Sequence, residues 1–223
     1  MTKSLFIEAM AKVLSGVILV GLLLFLPAGT MNYPEGWWLM GVLFVPMFLA
    51  GIVMMLKSPA LLKKRLSAKE KLGEQKLVIL LSGLMFIAAF VLAGLSFRFG
   101  FLLLPGWVSY AGCAAFLLAY AMYALVLREN EFLSRTIEVQ EGQRVVDTGL
   151  YGVVRHPMYS ATILLFISMP LILRSLLSLV VLLVYPALII VRLRSEEAFL
   201  AQSLAGYREY MNKVRWRLIP FIF

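Results

Sequence analysis

Four long stretches of this chain carry no charge. Between Lys12 and Glu35 lie 22 uncharged residues, between Glu35 and Lys57 21, between Lys76 and Arg98 21, and between Arg98 and Arg128 29. A helix rises 1.5 Å per residue and the hydrocarbon of a bilayer is about 30 Å thick, so each run is long enough to cross it. Composition agrees: 62% of the 223 residues are hydrophobic and 15% charged, against about 45–50% and about 25% in a soluble domain. The lipid bilayer is the solvent for this chain.

Two shorter runs follow, 18 residues from His156 to Leu173 and 17 from Ser175 to Val191, with one arginine between them. They read as the arms of a tight helical hairpin, spanning or re-entrant, with Pro170 and Arg174 at the bend. Pro46 and Pro186 fall inside other helices, where proline kinks the axis. The expected fold is all-α and membrane-integral, with five to six transmembrane helices. The first run contains no small-residue cleavage site and runs on to Pro27 without a polar break, so it reads as a retained helix rather than a signal peptide.

The basic residues give an orientation. With the N-terminus in the cytoplasm, 19 of the 21 Lys and Arg residues fall on that side, leaving only Arg98 and Arg174 outside. This is the positive-inside pattern. The loop from Lys57 to Lys76 holds seven of them, as a topology determinant or a contact for anionic headgroups. Trp37, Trp38 and Trp107 are placed as interface anchors on the outer side. Glu8 and Lys12, one helical turn apart, can pair near the inner interface. Because the basic residues follow topology, nucleic acid is not an expected partner. The single cysteine, Cys113, excludes an intrachain disulfide and any Cys-based metal or haem motif.

Polarity divides the chain. Residues 1–127 form a four-helix transmembrane region, while 128–223 gather the polar residues around the hairpin; any site is expected in this second region. Thr136 to Val146 alternates like a strand, interrupted by Glu141-Gly142, and Asp147-Thr148-Gly149 is a turn signal. Arg155-His156-Pro157 sits at the hairpin's mouth, with Pro157 suited to the first turn of the next helix. That helix start reads as an interfacial cap or as a site for an anionic group. A lone histidine without metal-ligand spacing does not make a zinc site.

At the hairpin's exit Arg192 and Glu196 are i, i+4 on a continuing helix and share a face. They are either a snorkelling arginine with its partner or a pair facing the same cleft as His156. The two mouths of an antiparallel hairpin lie close in space. A tail follows, with an amphipathic helix from about Ser195, a break near Gly206, and the basic and aromatic run Lys213 to Pro220, suited to the membrane surface.

The run GLYGVVRHPMY, then VRLRSEEAFL about forty residues later, then GYREY and RLIP, resembles the catalytic half of the isoprenylcysteine carboxyl methyltransferase family, itself similar to phospholipid N-methyltransferases. Four separated elements occur in order, over about 128–223. The resemblance implies a membrane methyltransferase using S-adenosyl-L-methionine, with the cofactor held by cytoplasmic loops and the C-terminal helix rather than by a Rossmann sheet. It implies that Gln143, Arg144, Val145, Val146, Tyr151, His156, Pro157, Met158 and Tyr159 line the cofactor pocket. Glu196 would hold polar groups of the cofactor with Glu197 beside it. Arg192 would be the substrate-side cation, and Arg192, His156 and Arg155 are the candidate catalytic residues. No metal is implied.

The implied acceptor is a lipophilic or prenylated molecule, most simply a prenylcysteine-like carboxylate, which is already ionised and needs only an orienting arginine. A phospholipid amine, a small thiol or an isoprenoid is an alternative acceptor, and an amine or thiol would call on His156 or Glu197 as base. A different class of enzyme, an NADPH-dependent reductase of the sterol-reductase type, shares a similar C-terminal region but normally has a longer chain.

Overall fold

The computed structural model describes residues 3–66, 73–133 and 137–223. Part of the basic loop, 67–72, and the start of the alternating segment, 134–136, lie outside the described residues. Four long helices come first, with a short one between the second and third of them: α1 (Lys3–Ala28), α2 (Pro34–Lys57), the short α3 (Pro59–Leu66), α4 (Gly73–Phe99) and α5 (Trp107–Glu129). Four of these, all but α3, are long and apolar enough to cross a membrane. Glycines in the left-handed region end two of them, Gly29 at φ +69° after α1 and Gly100 at φ +68° after α4. Pro34 opens the first turn of α2.

Pro46 stands inside α2 and interrupts its hydrogen-bond ladder. The Tyr120 hydroxyl of α5 donates to the Leu43 carbonyl one turn earlier, at 2.8 Å. Elsewhere small residues let helices touch. A Cβ on Gly94 would lie 2.5 Å from the Leu24 carbonyl oxygen of α1, and one on Gly112 would lie 2.7 Å from the Ile172 nitrogen. Without a hydrophobic drive between helices in lipid, such close backbone packing holds the bundle together.

The hairpin is formed by α6 (Pro157–Ile172), then α7 (Leu176–Leu182) and α8 (Tyr185–Ser203) returning. Its 16-residue first arm is about 24 Å long. Arg174, at φ +56°, makes the bend. Its guanidinium donates to the Leu104 carbonyl at 2.8 Å and pairs with Glu35 at 3.0 Å. The Tyr33 hydroxyl donates to the Leu173 carbonyl, and Leu103 bridges Ser175. The bend therefore lies level with the α1–α2 and α4–α5 loops. The hairpin traverses the whole bundle, and a charge at mid-depth is avoided because the arginine is at the far end with a carboxylate. Trp37, Trp38 and Trp107 are exposed at that same end, as interface anchors are. The protein is an all-α, multi-pass membrane protein.

Three expectations change. Pro186 does not kink a helix from within; it stands in the first turn of α8, just after the break that separates α7 from α8. No separate amphipathic helix starts near Ser195, because α8 runs unbroken from Tyr185 to Ser203, and the tail adds only α9 (Tyr207–Lys213) after Gly206 at φ +79°. Residues 137–147 form no strand, since no neighbouring segment offers a ladder and the chain turns back on itself. The Gln143 amide bonds the Gln140 carbonyl there, and the Gln140 amide bonds the Gln143 side chain. Glu8 and Lys12 do pair, at 2.7 Å, and Lys12 also donates to the Leu66 carbonyl.

Candidate active site

Opposite the Arg174 end, α5, α6, α8 and the tail converge. Glu129, at the end of α5, accepts the Leu150 amide at 3.2 Å and so holds the short 3-10 turn Gly149–Gly152. Gly149 is at φ +52°, and a Cβ there would overlap the Glu129 carboxylate. The next residue, Asn130, donates to the Tyr151 hydroxyl at 3.0 Å, while Tyr210 of α9 donates to the Tyr151 carbonyl at 2.8 Å. The polar loop is thereby tied to both a membrane helix and the tail. Burial pushes the hydroxyls of Tyr207 and Tyr210 well above the usual tyrosine range, so both stay protonated donors.

Arg155 and His156 precede α6, and their amides donate to the Trp216 and Arg217 carbonyls. The Arg155 side chain is only 6% exposed. Its Nε donates to Glu197 Oε1 at 2.6 Å, and its Nη1 donates to the Val214 and Arg215 carbonyls at 2.8 and 2.9 Å. His156 Nε2 lies 3.2 Å from the same Glu197 oxygen, and Arg217 Nε donates to the other at 2.9 Å. A carboxylate only accepts, so this contact assigns the proton of a neutral His156 to Nε2 and leaves the lone pair on Nδ1. The Ser160 hydroxyl adds a bond to the Leu218 carbonyl. The whole cluster straps the tail across the hairpin's mouth.

One helix position earlier the surroundings differ. Tyr159 donates its hydroxyl proton to Glu196 and accepts from Arg192 Nε at 3.0 Å. Its ring stacks on the His156 imidazole, with centroids 5.6 Å apart. Arg192 and Glu196 therefore do share a face, joined through a tyrosine from the other arm.

These groups border a cavity of about 830 Å³. Gln143, Arg144, Val145, Val146, Tyr151, Arg155, His156, Met158, Tyr159, Arg192 and Glu196 all line it. Two of the expected residues do not. Pro157 is fully buried in the first turn of α6, and Glu197 is turned away from the cavity into the arginine cluster. Its two oxygens are committed to Arg155, His156 and Arg217.

The cavity is not confined to the second half of the chain. Leu43, Met47 and Met54 of α2, Val78 and Phe86 of α4, and Tyr120 of α5 form a largely apolar part of its lining, called the apolar limb below. Sequence reading missed these residues, since apolar side chains on a cavity and on a lipid face look alike. The kink at Pro46 was the one available signal. Among the described residues no cluster of His, Cys, Asp and Glu is arranged to hold a metal ion.

Residues 107–206 match the model of the phospholipid methyltransferase family. This segment is similar to phospholipid methyltransferase domains. No curated protein gives a significant match. The domain spans α5 to α8 and agrees with the resemblance to isoprenylcysteine carboxyl methyltransferases. It holds every charged residue that lines the cavity. The apolar lining is completed by α2 and α4, outside the matched segment, and Tyr207 and Tyr210 of α9 also line the cavity. The match supports a membrane methyltransferase, with the matched segment supplying the polar end of a cavity that other helices extend.

Proposed function

We propose that the cavity binds S-adenosyl-L-methionine at its charged end and a lipophilic acceptor in its apolar limb, and that the acceptor is a prenylcysteine-like carboxylate. The observation that carries this reading is the cavity's two-part lining, with Arg192 and Glu196 at the junction. The residues present fit the cofactor. Glu196 is an anionic partner for its cationic end, Gln143 and Tyr207 offer polar contacts, and Val145, Val146 and Leu204 offer apolar surface for a base. When bound, S-adenosyl-L-methionine supplies an electrophilic methyl group.

The chain's own residues supply position and dryness. Tyr159 holds Arg192 and Glu196 in fixed relation, so the guanidinium can orient an acceptor carboxylate while Glu196 serves the cofactor side. An ionised carboxylate needs no base, and holding it in line with the methyl accounts for much of the rate enhancement such a site can give. The tail strapped by Arg155 and Glu197 forms one wall of the charged end, and the water it excludes on that side strengthens charge interactions inside. The catalytic assignment thus centres on Arg192. Arg155 acts through the tail it anchors, and His156 through its contact with Tyr159. The excess of basic residues at the site's end of the bundle supports a cytoplasmic site.

Calorimetry with S-adenosylhomocysteine on detergent-purified protein tests the reading. Wild type is expected to bind, and ligand at a hundred times its dissociation constant to stabilise the fold by roughly 2.7 kcal/mol. Glu196→Gln should lose binding and Arg192→Ala keep it. A folded wild type that does not bind would refute the methyltransferase reading of the cavity.

A further inference from the structure

Gly83 stands out among the helix glycines. Gly94 and Gly112 are explained by packing, since a side chain at either would strike the backbone of a neighbouring helix. Nothing lies within 4 Å of a Cβ built on Gly83, yet Gly83 lines the cavity. Glycine inside a helix is less favourable than alanine, and packing gives no reason for it here. Gly41 of α2 is equally unpacked but does not border the cavity.

Gly83 is also exposed, as is Ile79 one turn before it, and both line the cavity. The cavity therefore reaches the outer surface on α4. That surface is apolar: Leu80, Leu84 and Ile87 beside it are all exposed. Gly83 lies about 15 Å along α4 from its first residue, at a depth where the neighbouring medium is hydrocarbon. Water-soluble molecules do not approach from there; lipid chains do.

We propose that Gly83 is the specificity-determining residue for the acceptor: its missing side chain keeps open a side mouth through which the apolar chain of a lipid acceptor passes from the bilayer into the limb. This rests on reading the cavity as a methyltransferase site. The acceptor then slides in tail and all, its nucleophilic head reaching Arg192 without leaving the membrane. A side chain at position 83 would point into unoccupied space, so it would narrow the mouth without disturbing the bundle.

The test uses the full chain in phosphatidylcholine nanodiscs, with methyl transfer measured to butyl-, octyl- and dodecylthioacetic acid. Gly83→Phe should lower kcat/KM for the dodecyl acid at least about tenfold and leave that for the butyl acid and the affinity for S-adenosylhomocysteine unchanged. Gly83→Ala should fall between, and Gly41→Phe, which adds the same bulk away from the cavity, should match wild type. Should Gly83→Phe fail to fold, Gly83→Ala carries the chain-length comparison. Equal effects on butyl and dodecyl acids, or none, would overturn the proposal. If wild type binds S-adenosylhomocysteine but methylates none of the acids, the carboxylate reading fails and the corresponding alkylamines give the same chain-length test. A wild type that binds no S-adenosylhomocysteine refutes the parent reading instead.

Discussion

Glu196 and Glu197 are adjacent on α8, yet they serve opposite ends. Glu197 is 4% exposed and takes three cationic or donor partners, Arg155, His156 and Arg217, that lie on the chain before α6 and on the tail. Glu196 faces the cavity and meets Tyr159. Successive residues on a helix point about 100° apart, so one face of α8 can fasten the tail while the next lines a cavity. Charge density alone therefore does not mark the chemistry. The most heavily bonded carboxylate at this end of the molecule is a clamp, and the one with fewer protein bonds is where a ligand has room.

The largest effect is expected at the clamp. Glu197→Ala would leave Arg155 buried and without its carboxylate, and breaking a buried pair costs about 3–5 kcal/mol. The expected result is a steep fall in the thermal unfolding midpoint in detergent, with ligand binding lost only as the protein unfolds. A variant that unfolds like wild type yet cannot bind S-adenosylhomocysteine would move Glu197 from clamp to ligand contact.

On the other face the effect should appear in kinetics first. Arg192→Ala removes the proposed orienting cation, and misplacing a nucleophile by about 1 Å can lower the rate on the order of a hundredfold. Unfolding should shift far less than for Glu197→Ala, and S-adenosylhomocysteine should still bind. Tyr159→Phe is the milder version, because it removes the hydroxyl joining Arg192 to Glu196 and leaves both charges. The substitution removes two hydrogen bonds to charged groups, each of about 1.5–3 kcal/mol, expected here as a raised acceptor KM with kcat reduced less. Equal loss in both variants would mean that Arg192 acts only through the tyrosine.

Much of this was legible because charge is so costly in hydrocarbon. The charge-free runs marked α1, α2, α4 and α5, and the single arginine between two shorter runs marked the hairpin bend. Antiparallel arms were enough to bring His156 and Arg192 together. The rest depends on rotation and packing that a linear pattern does not carry. Whether Glu196 or Glu197 faces the cavity is decided by how α8 turns against α6 and the tail. The tail's attachment runs through backbone carbonyls at Val214, Arg215 and Trp216, which have no sequence signature. The alternating residues before Val146 looked like a strand because alternation reports two unlike faces, and a loop lying between a cavity and water has those too.

The smallest effect should come from the outermost contact between the same loop and tail. Lys213 of α9 lies 2.6 Å from Asp147, and its hydrogen bond and charge hold the Asp147 carboxyl below the usual range. A carboxyl depressed in the folded state contributes stability above its unfolded value, about 3.9, and loses it as pH falls through the lower folded value. Both partners are well exposed to solvent, so the contribution is minor and screened by salt. Unfolding midpoints of wild type and Asp147→Asn should differ slightly at neutral pH, converge as the medium is acidified below that range, and differ less in high salt. A difference as large as that for Glu197→Ala would mean that the tail is fastened from its rim rather than from the buried cluster, and the contrast between the two faces of α8 would lose its structural half.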